Sequence, residues 1–114
     1  RPQETGQRCD VRWLALTSDT DRGLIAVGSP VFEFAIRPFT DESLEAAKHP
    51  HEIKPGENLT LHLDHHQMGV GGDNSWGAWT HAEYRLPAGE YEHTVTLRPY
   101  RSGLGPIGVV ARRP

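Results

Sequence analysis

Cysteine is almost absent from this chain: Cys9 stands alone among 114 residues. No disulfide can therefore form within it, and a reducing, cytoplasmic setting is the expectation. Long apolar runs are missing as well. None approaches the roughly 20 residues that a membrane-spanning helix needs, and we read no signal-peptide pattern. Nor is there an excess of positive charge, since 12 Lys and Arg against 15 Asp and Glu give a net charge of −3. That balance offers no basic field to nucleic acid or to an anionic membrane, and neither is expected as a partner. Apolar residues are scarce, at 36% of the chain, below the roughly 45–50% usual in soluble domains, a figure that counts Gly. The first residue is Arg1, so a fragment or processed product is expected. A domain taken from a larger protein need not cover all of its own apolar surface.

What the chain does have is Gly and Pro, 12 and 9 of them, which favour short elements joined by turns over long helices. Residues 10–17 read as a strand with Val11, Trp13 and Ala15 on one side and Arg12, Leu14 and Leu16 on the other, so that both faces find cover. Ser18 to Gly23 is a turn, Leu24 to Val27 a short strand, Gly28-Ser29-Pro30 a break, and Val31 to Arg37 a further strand rich in β-branched and aromatic residues. Only Thr40 to His49 has helical character, with Thr40 as N-cap, Lys48 and His49 in the last turn and Pro50 as its stop. From Leu59 to His65 the alternation is strict. Thr80 to Leu86 and Tyr91 to Arg98 alternate as well, and Pro87-Ala88-Gly89 between them predicts a β-hairpin. Residues 103–114 show little pattern and read as a C-terminal tail or linker behind a single domain over 1–102. Seven or so short strands with one connecting helix predict an all-β, antiparallel Greek-key or jelly-roll-like sandwich.

Chemistry-bearing clusters are few. His62, Asp64 and His66 share one face of a strand and have the composition of a non-haem iron or zinc site. Ligand triads usually draw on separate elements, however, so a solvated or interface role is the plainer reading of these residues and of His65. Among the fifteen acidic residues no pair stands out as the opposed carboxylates of a glycosidase. Arg8 beside Cys9 can lower that thiol's pKa, but nothing around it suggests a nucleophile. Ser75 lacks the Gly-x-Ser-x-Gly setting of a hydrolase elbow, and Asn58-Leu59-Thr60 matches a glycosylation acceptor that a cytoplasmic chain would not use.

The loop from Gly69 to Gly77 is more informative. Gly69, Gly71 and Gly72 permit close backbone approach and positive φ, while Asp73 and Asn74 can bond back to the backbone and fix a turn. At its end stands Trp76, a flat indole suited to the C–H face of a sugar ring. Stacking over about 40–60 Å² would supply about 1–1.5 kcal/mol of affinity. From the residues alone, a Trp76 that caps the core, with the glycines as mere turn formers, stays open. Trp13 reads as core or interdomain contact and Trp79 as loop packing.

Three segments carry a resemblance. Arg1-Pro2-Gln3-Glu4-Thr5-Gly6-Gln7-Arg8-Cys9-Asp10-Val11-Arg12-Trp13 is similar to the stretch that opens the last domain in bacterial β-galactosidases of glycoside hydrolase family 2. Ala47-Lys48-His49-Pro50-His51-Glu52 is similar to the link after that domain's short helix. His66-Gln67-Met68-Gly69-Val70-Gly71-Gly72-Asp73-Asn74-Ser75-Trp76 is the most specific, and Pro87-Ala88-Gly89-Glu90-Tyr91 also fits; one difference is Asn74, where some relatives have Asp. The resemblance implies a supersandwich-like, galactose-mutarotase-like domain reaching over the mouth of a catalytic (β/α)₈ barrel. That barrel carries the catalytic glutamates and the magnesium, so no catalytic residue, metal site or cofactor is expected in this chain. By position Trp76 packs on the substrate sugar, with Met68, Gly69, Gly71, Gly72, Asp73, Asn74 and Ser75 supporting it.

Three functions therefore compete: the non-catalytic C-terminal domain of a retaining β-galactosidase, acting on terminal β-galactosides and partnered by the barrel and other domains of a homo-oligomeric enzyme; an autonomous carbohydrate-binding module using Trp76 and Trp79; and a small metal-dependent enzyme using His62, Asp64 and His66. The resemblance favours the first. Sugar affinity of the isolated domain separates the first two, and metal content tests the third.

Overall fold

The computed structural model describes residues 6–74 and 76–114. Arg8–Thr17 forms β1 and Gly23–Arg37 forms β2, a strand of 15 residues. The helix α1 covers Asp41–Ala46, β3 covers Thr60–Asp64, β4 covers Val95–Tyr100 and α2 covers Ile107–Ala111. Single 3₁₀ turns lie at Pro50–Glu52, Ala82–Tyr84 and Ser102–Leu104. The fold is all-β, antiparallel and sandwich-like, as expected, but the described residues contain one sheet of four strands rather than seven or so. No helix among them is long and apolar enough to cross a membrane.

β2 is the axis of this sheet. One edge pairs with β1, Trp13 to Val27 and Leu14 to Ala26. The other edge is shared end to end: β4 takes its first part, Gly23 with Tyr100 to Gly28 with Val95, and β3 takes its last part, Glu33 with Asp64 to Arg37 with Thr60. The expected break at Gly28-Ser29-Pro30 is thus a distortion inside one strand, with the register to β1 shifting between Val11 and Trp13. A side chain at Gly28 would place its Cβ 2.8 Å from the Phe32 ring and from the Val31 carbonyl carbon, so only glycine allows this fold-back. A second register shift, between Arg8 and Val11, spans Asp10 at φ 55°. It turns Val11 away from Trp13 and against the Leu14, Ala26 and Phe32 side of the sheet, contrary to plain alternation.

Each face has its own apolar cluster. Leu14, Ala26 and Phe32 are buried on one side, with Val11, Leu16, Phe34, Leu61 and Leu63 against them. On the other side Ile25 is buried with Val110 and Ala111 of α2, beside Trp13, Ala15 and Val27. Trp13 is therefore a core contact, as expected. Residues 103–114 are not a loose tail. Ile107, Val110 and Ala111 fall one helical turn apart and seat α2 on the sheet. The Arg98 guanidinium donates to the Arg113 carbonyl at 2.6 Å, the Tyr100 hydroxyl to the Gly105 carbonyl at 2.9 Å, and the Ser102 N–H to Asp21 at 2.8 Å; Ser102, by its side chain first and then by this N–H, holds that carboxyl below its usual pKa.

The helix starts as expected, with Thr40 Oγ1 accepting from the Ser43 N–H at 3.2 Å. It stops at Ala46, short of His49, because Glu52 accepts the Lys48 and His49 N–H groups at 2.7 and 3.3 Å and draws them into the following turn. No hairpin forms over 80–98. Residues 80–94 hold a 3₁₀ turn and open chain, and only 95–100 joins the sheet. Residues 80–86 are instead turned at Ala82–Tyr84 and tied to Gly69, whose N–H donates to the Tyr84 carbonyl at 2.7 Å and whose carbonyl accepts the Thr80 hydroxyl.

The molecule is flat and extended, 54 × 36 × 21 Å, with a radius of gyration of 17.2 Å against about 13 Å for a compact domain of this length. Its accessible surface is 8849 Å², where a self-contained monomer of 12.7 kDa would show about 6,200 Å².

Candidate functional site

The site is built on the thirty residues 65–94, which leave the sheet where β3 ends and rejoin it where β4 begins. Both ends are tied to the same stretch of β2. At the start, the Gln67 N–H donates to Glu33 Oε2 at 3.1 Å; at the end, the Ser29 N–H donates to the Thr94 carbonyl at 3.2 Å. The excursion therefore begins and ends beside the distortion at residues 28–33.

Inside it, backbone is laid against backbone. The Gly69 N–H donates to the Tyr84 carbonyl at 2.7 Å, and its own carbonyl accepts the buried Thr80 hydroxyl at 2.7 Å. A Cβ on Gly72 would lie 2.4 Å from the Trp79 carbonyl oxygen, a distance that no side chain permits. Gly71 sits at φ 83°. Asp73 pairs with His81 at 2.7 Å, and Asn74 Oδ1 accepts the Trp76 N–H at 2.9 Å. Asp73 and Asn74 thus bond as turn-fixing residues would. Asn74 needs only its carbonyl oxygen for this. Met68 is exposed, and Ser75 lies outside the described residues, as do residues 1–5 of the opening segment.

This scaffold presents apolar surface outward. Trp76 is 92% exposed and Val70 fully so, so Trp76 does not cap the core of this chain. Trp79 is 77% exposed, with the Arg85 guanidinium 5.8 Å above its ring and Arg85 Nε donating to the Thr80 carbonyl. It is held in place, yet it is not simple loop packing. Tyr91 bonds the Pro87 carbonyl at 2.5 Å and presents a ring edge to His65.

The histidines are spread among different partners. His62 lies 3.1 Å from Asp41, Asp64 accepts from Gln7 at 2.9 Å, and His66 faces Glu33 at 3.9 Å. The three do not converge, and among the described residues no group of His, Cys, Asp and Glu could hold a metal ion. His65 instead lies in a ring stack, with centroids 4.2 Å from His66 and 5.1 Å from His93. Desolvation, then the neighbouring His66 and His93, hold its pKa below the usual imidazole value, with Glu33 opposing. The Cys9 thiol is pushed up, by desolvation first and then by Glu33 and Asp10, and the Arg8 guanidinium turns to the Gly6 carbonyl. The lowered pKa expected from the Arg8–Cys9 neighbourhood does not occur. A concavity of about 840 Å³ lined by Arg22, Tyr100, Arg101 and Leu104 lies at the Gly23 end of the sheet, on elements that contribute nothing to the loop.

Sequence reasoning passed over Glu33, Thr80 and His93. Glu33 carried the clearest signal, an acid between two phenylalanines in the most apolar strand. Its partners, Gln7, Gln67 and Asp64, are 26 to 34 positions away and become visible only through the sheet register.

A sandwich-like antiparallel β domain with one long, aromatic-bearing excursion is the class that this architecture defines. The profile of the β-galactosidase small chain matches residues 1–97, and the chain belongs to that family. A β-galactosidase of Priestia megaterium is 42% identical over 100 residues, covering 87% of this chain and 10% of that protein. The β-galactosidase BgaC of Bifidobacterium adolescentis is 40% identical over 90 residues, 76% of this chain and 9% of its own. One of Vibrio vulnificus is 33% identical over 98 residues, 86% and 9%. The resemblance drawn from the sequence is thereby borne out. The chain spans about a tenth of the length of the curated relatives that it matches.

Proposed function

We propose that this chain is the C-terminal part of a β-galactosidase, that it completes the rim of the active site of an enzyme cleaving terminal β-galactosides with retention, and that Trp76 stacks on the sugar. The observation that carries this reading is an indole 92% exposed at the tip of an excursion pinned at both ends to the sheet. A large exposed aromatic on a held loop costs solvation unless something covers it, and the flat face of an indole matches the C–H face of galactose. The excess surface of the chain supports a neighbour of large area, which in this reading is the catalytic barrel and other domains of one polypeptide. The catalytic glutamates and the magnesium belong to that barrel, the whole enzyme is a cytoplasmic homo-oligomer, and the chain alone does not hydrolyse galactosides.

Trp76→Ala in the whole polypeptide that carries this chain tests the reading. Losing about 1–1.5 kcal/mol of stacking raises KM for lactose about five- to twelvefold, with kcat moving much less, because stacking acts on ground state and transition state alike. An unchanged KM would overturn it. The exposure of Trp79 beside Trp76 keeps a second reading in view, an autonomous carbohydrate-binding module. A lactose titration of the 114-residue chain, followed on its indole N–H signals, decides between them: saturation at low millimolar sugar favours the module, and no shift at tens of millimolar favours the shared rim.

A further inference from the structure

We infer that Glu33 is the positioning residue of the Trp76 loop: it fixes where the loop leaves the sheet and so where the indole meets the sugar. The inference rests on the reading of Trp76 given above. Glu33 sits in the middle of β2, almost fully buried, and directly opposite Asp64 in the β2–β3 register. Two carboxylates side by side across strands repel unless donors are placed between them. Gln7 supplies these, its Nε2 lying 2.9 Å from Asp64 and 3.4 Å from Glu33. Glu33 then spends Oε2 on the Gln67 N–H at 3.1 Å, while Oε1 faces His66 Nδ1 at 3.9 Å.

The Gln67 N–H is a backbone donor just past the end of β3, at the point where the ladder stops supplying partners. A buried carboxylate waiting there replaces the missing strand and sets the direction of the chain that follows. The next fixed point, Gly69 between Tyr84 and Thr80, lies two residues on. Beyond it the chain is tied to residues of the same excursion, Gly72 against Trp79, Asp73 to His81 and Asn74 to the Trp76 N–H, so the segment moves as one piece. A displacement at Gln67 therefore passes to the Gly69–Trp76 segment and leaves the sheet unchanged. The carboxylate acts here by its reach, because an N–H can be accepted by any oxygen at that position.

Two substitutions separate reach from charge. Glu33→Asp keeps the charge but withdraws the oxygen by one methylene; Glu33→Gln keeps the oxygen in place and removes the charge. In the whole polypeptide that carries this chain, Glu33→Asp is expected to raise KM for lactose about three- to tenfold, the weight of one partly buried hydrogen bond, with kcat within about twofold. Glu33→Gln is expected to stay within about twofold of the parent. In a Trp76→Ala background Glu33→Asp should add less than about twofold, because the position of an absent indole no longer matters. Hydrogen–deuterium exchange of peptides spanning residues 65–72 should speed up in Glu33→Asp and not in Glu33→Gln. Unchanged exchange in Glu33→Asp overturns the anchor, whatever Trp76 does. A Glu33→Gln defect equal to that of Glu33→Asp, or a Glu33→Asp defect that persists undiminished without the indole, overturns the positioning role. If Trp76→Ala alone leaves KM unchanged, the reading of Trp76 falls, and the exchange measurement still decides the anchor.

Discussion

The sheet and the excursion over residues 65–94 are held together by different physics. In the sheet, ladder bonds repeat along 15 residues of β2, and fully buried Phe32 and Ile25 lie on opposite faces of it. Removing one bond there leaves many others in place. The excursion has no ladder and almost no buried apolar side chain. It is set by single contacts: Glu33 to Gln67, Gly69 between Tyr84 and Thr80, Gly72 against Trp79, Asp73 to His81, and Asn74 to Trp76. Redundancy gives the sheet stability. Its lack in the excursion makes each contact answerable for a position.

The contrast can be broken most forcefully at Phe32. Phe32→Ala empties the centre of one face and should cost about 3–5 kcal/mol, read as loss of the cooperative unfolding transition in urea. Gly72→Ala should cost about 1–3 kcal/mol, by forcing the excursion away from Trp79; the indole signals of Trp76 and Trp79 should shift while the amide signals of β1 and β2 hold. If the sheet signals move as far, the two regions are one cooperative unit and the contrast fails. A finer test uses pH. The pKa of His65 lies below its unfolded value of about 6.5, so the unfolded chain takes up the proton first as pH falls. Its stabilising contribution is complete above about pH 6.5 and is lost as pH drops through that value toward the folded pKa. His66, His93, Glu33 and Tyr91 are the groups facing it. Protection factors in the excursion, corrected for the pH dependence of intrinsic amide exchange, should drop between pH 7 and 5 before those of β2 do, and His65→Gln should flatten the difference. The smallest effect belongs to Trp76→Ala, whose side chain touches little of this chain. The unfolding midpoint should stay within about 0.5 kcal/mol of the parent.

How much of this was legible in the sequence follows the same division. The alternation of residues 10–17 and 59–65 predicts β1 and β3, and Val31 to Arg37 predicts the second half of β2, because strands with a buried face must show it in their pattern. Thr40 marks the start of α1 through its hydroxyl. Residues 80–86 alternate just as well and form no strand, since alternation reports a compatible chain and not its partner, which here is the backbone of Gly69. Ile107, Val110 and Ala111 have helical spacing, but Gly105-Pro106 and the shortness of the run hid it. In the candidate site, Trp76, the glycines, Asp73 and Asn74 act within a few residues of one another and could be read locally. Glu33, Thr80 and His93 could not, because their roles exist only once distant strands are in register.

The shared edge of β2 has a consequence for how this chain can diversify. β3 and β4 together amount to one strand interrupted at residues 28–33, and the whole excursion departs from and returns to that gap. Its ends stay fixed by the sheet however long the connection grows, and closing a loop of twice the length costs only about 0.6 kcal/mol more. Residues 65–94 therefore behave as an exchangeable cassette. Its length and sequence can change while the four strands that fix its ends are kept.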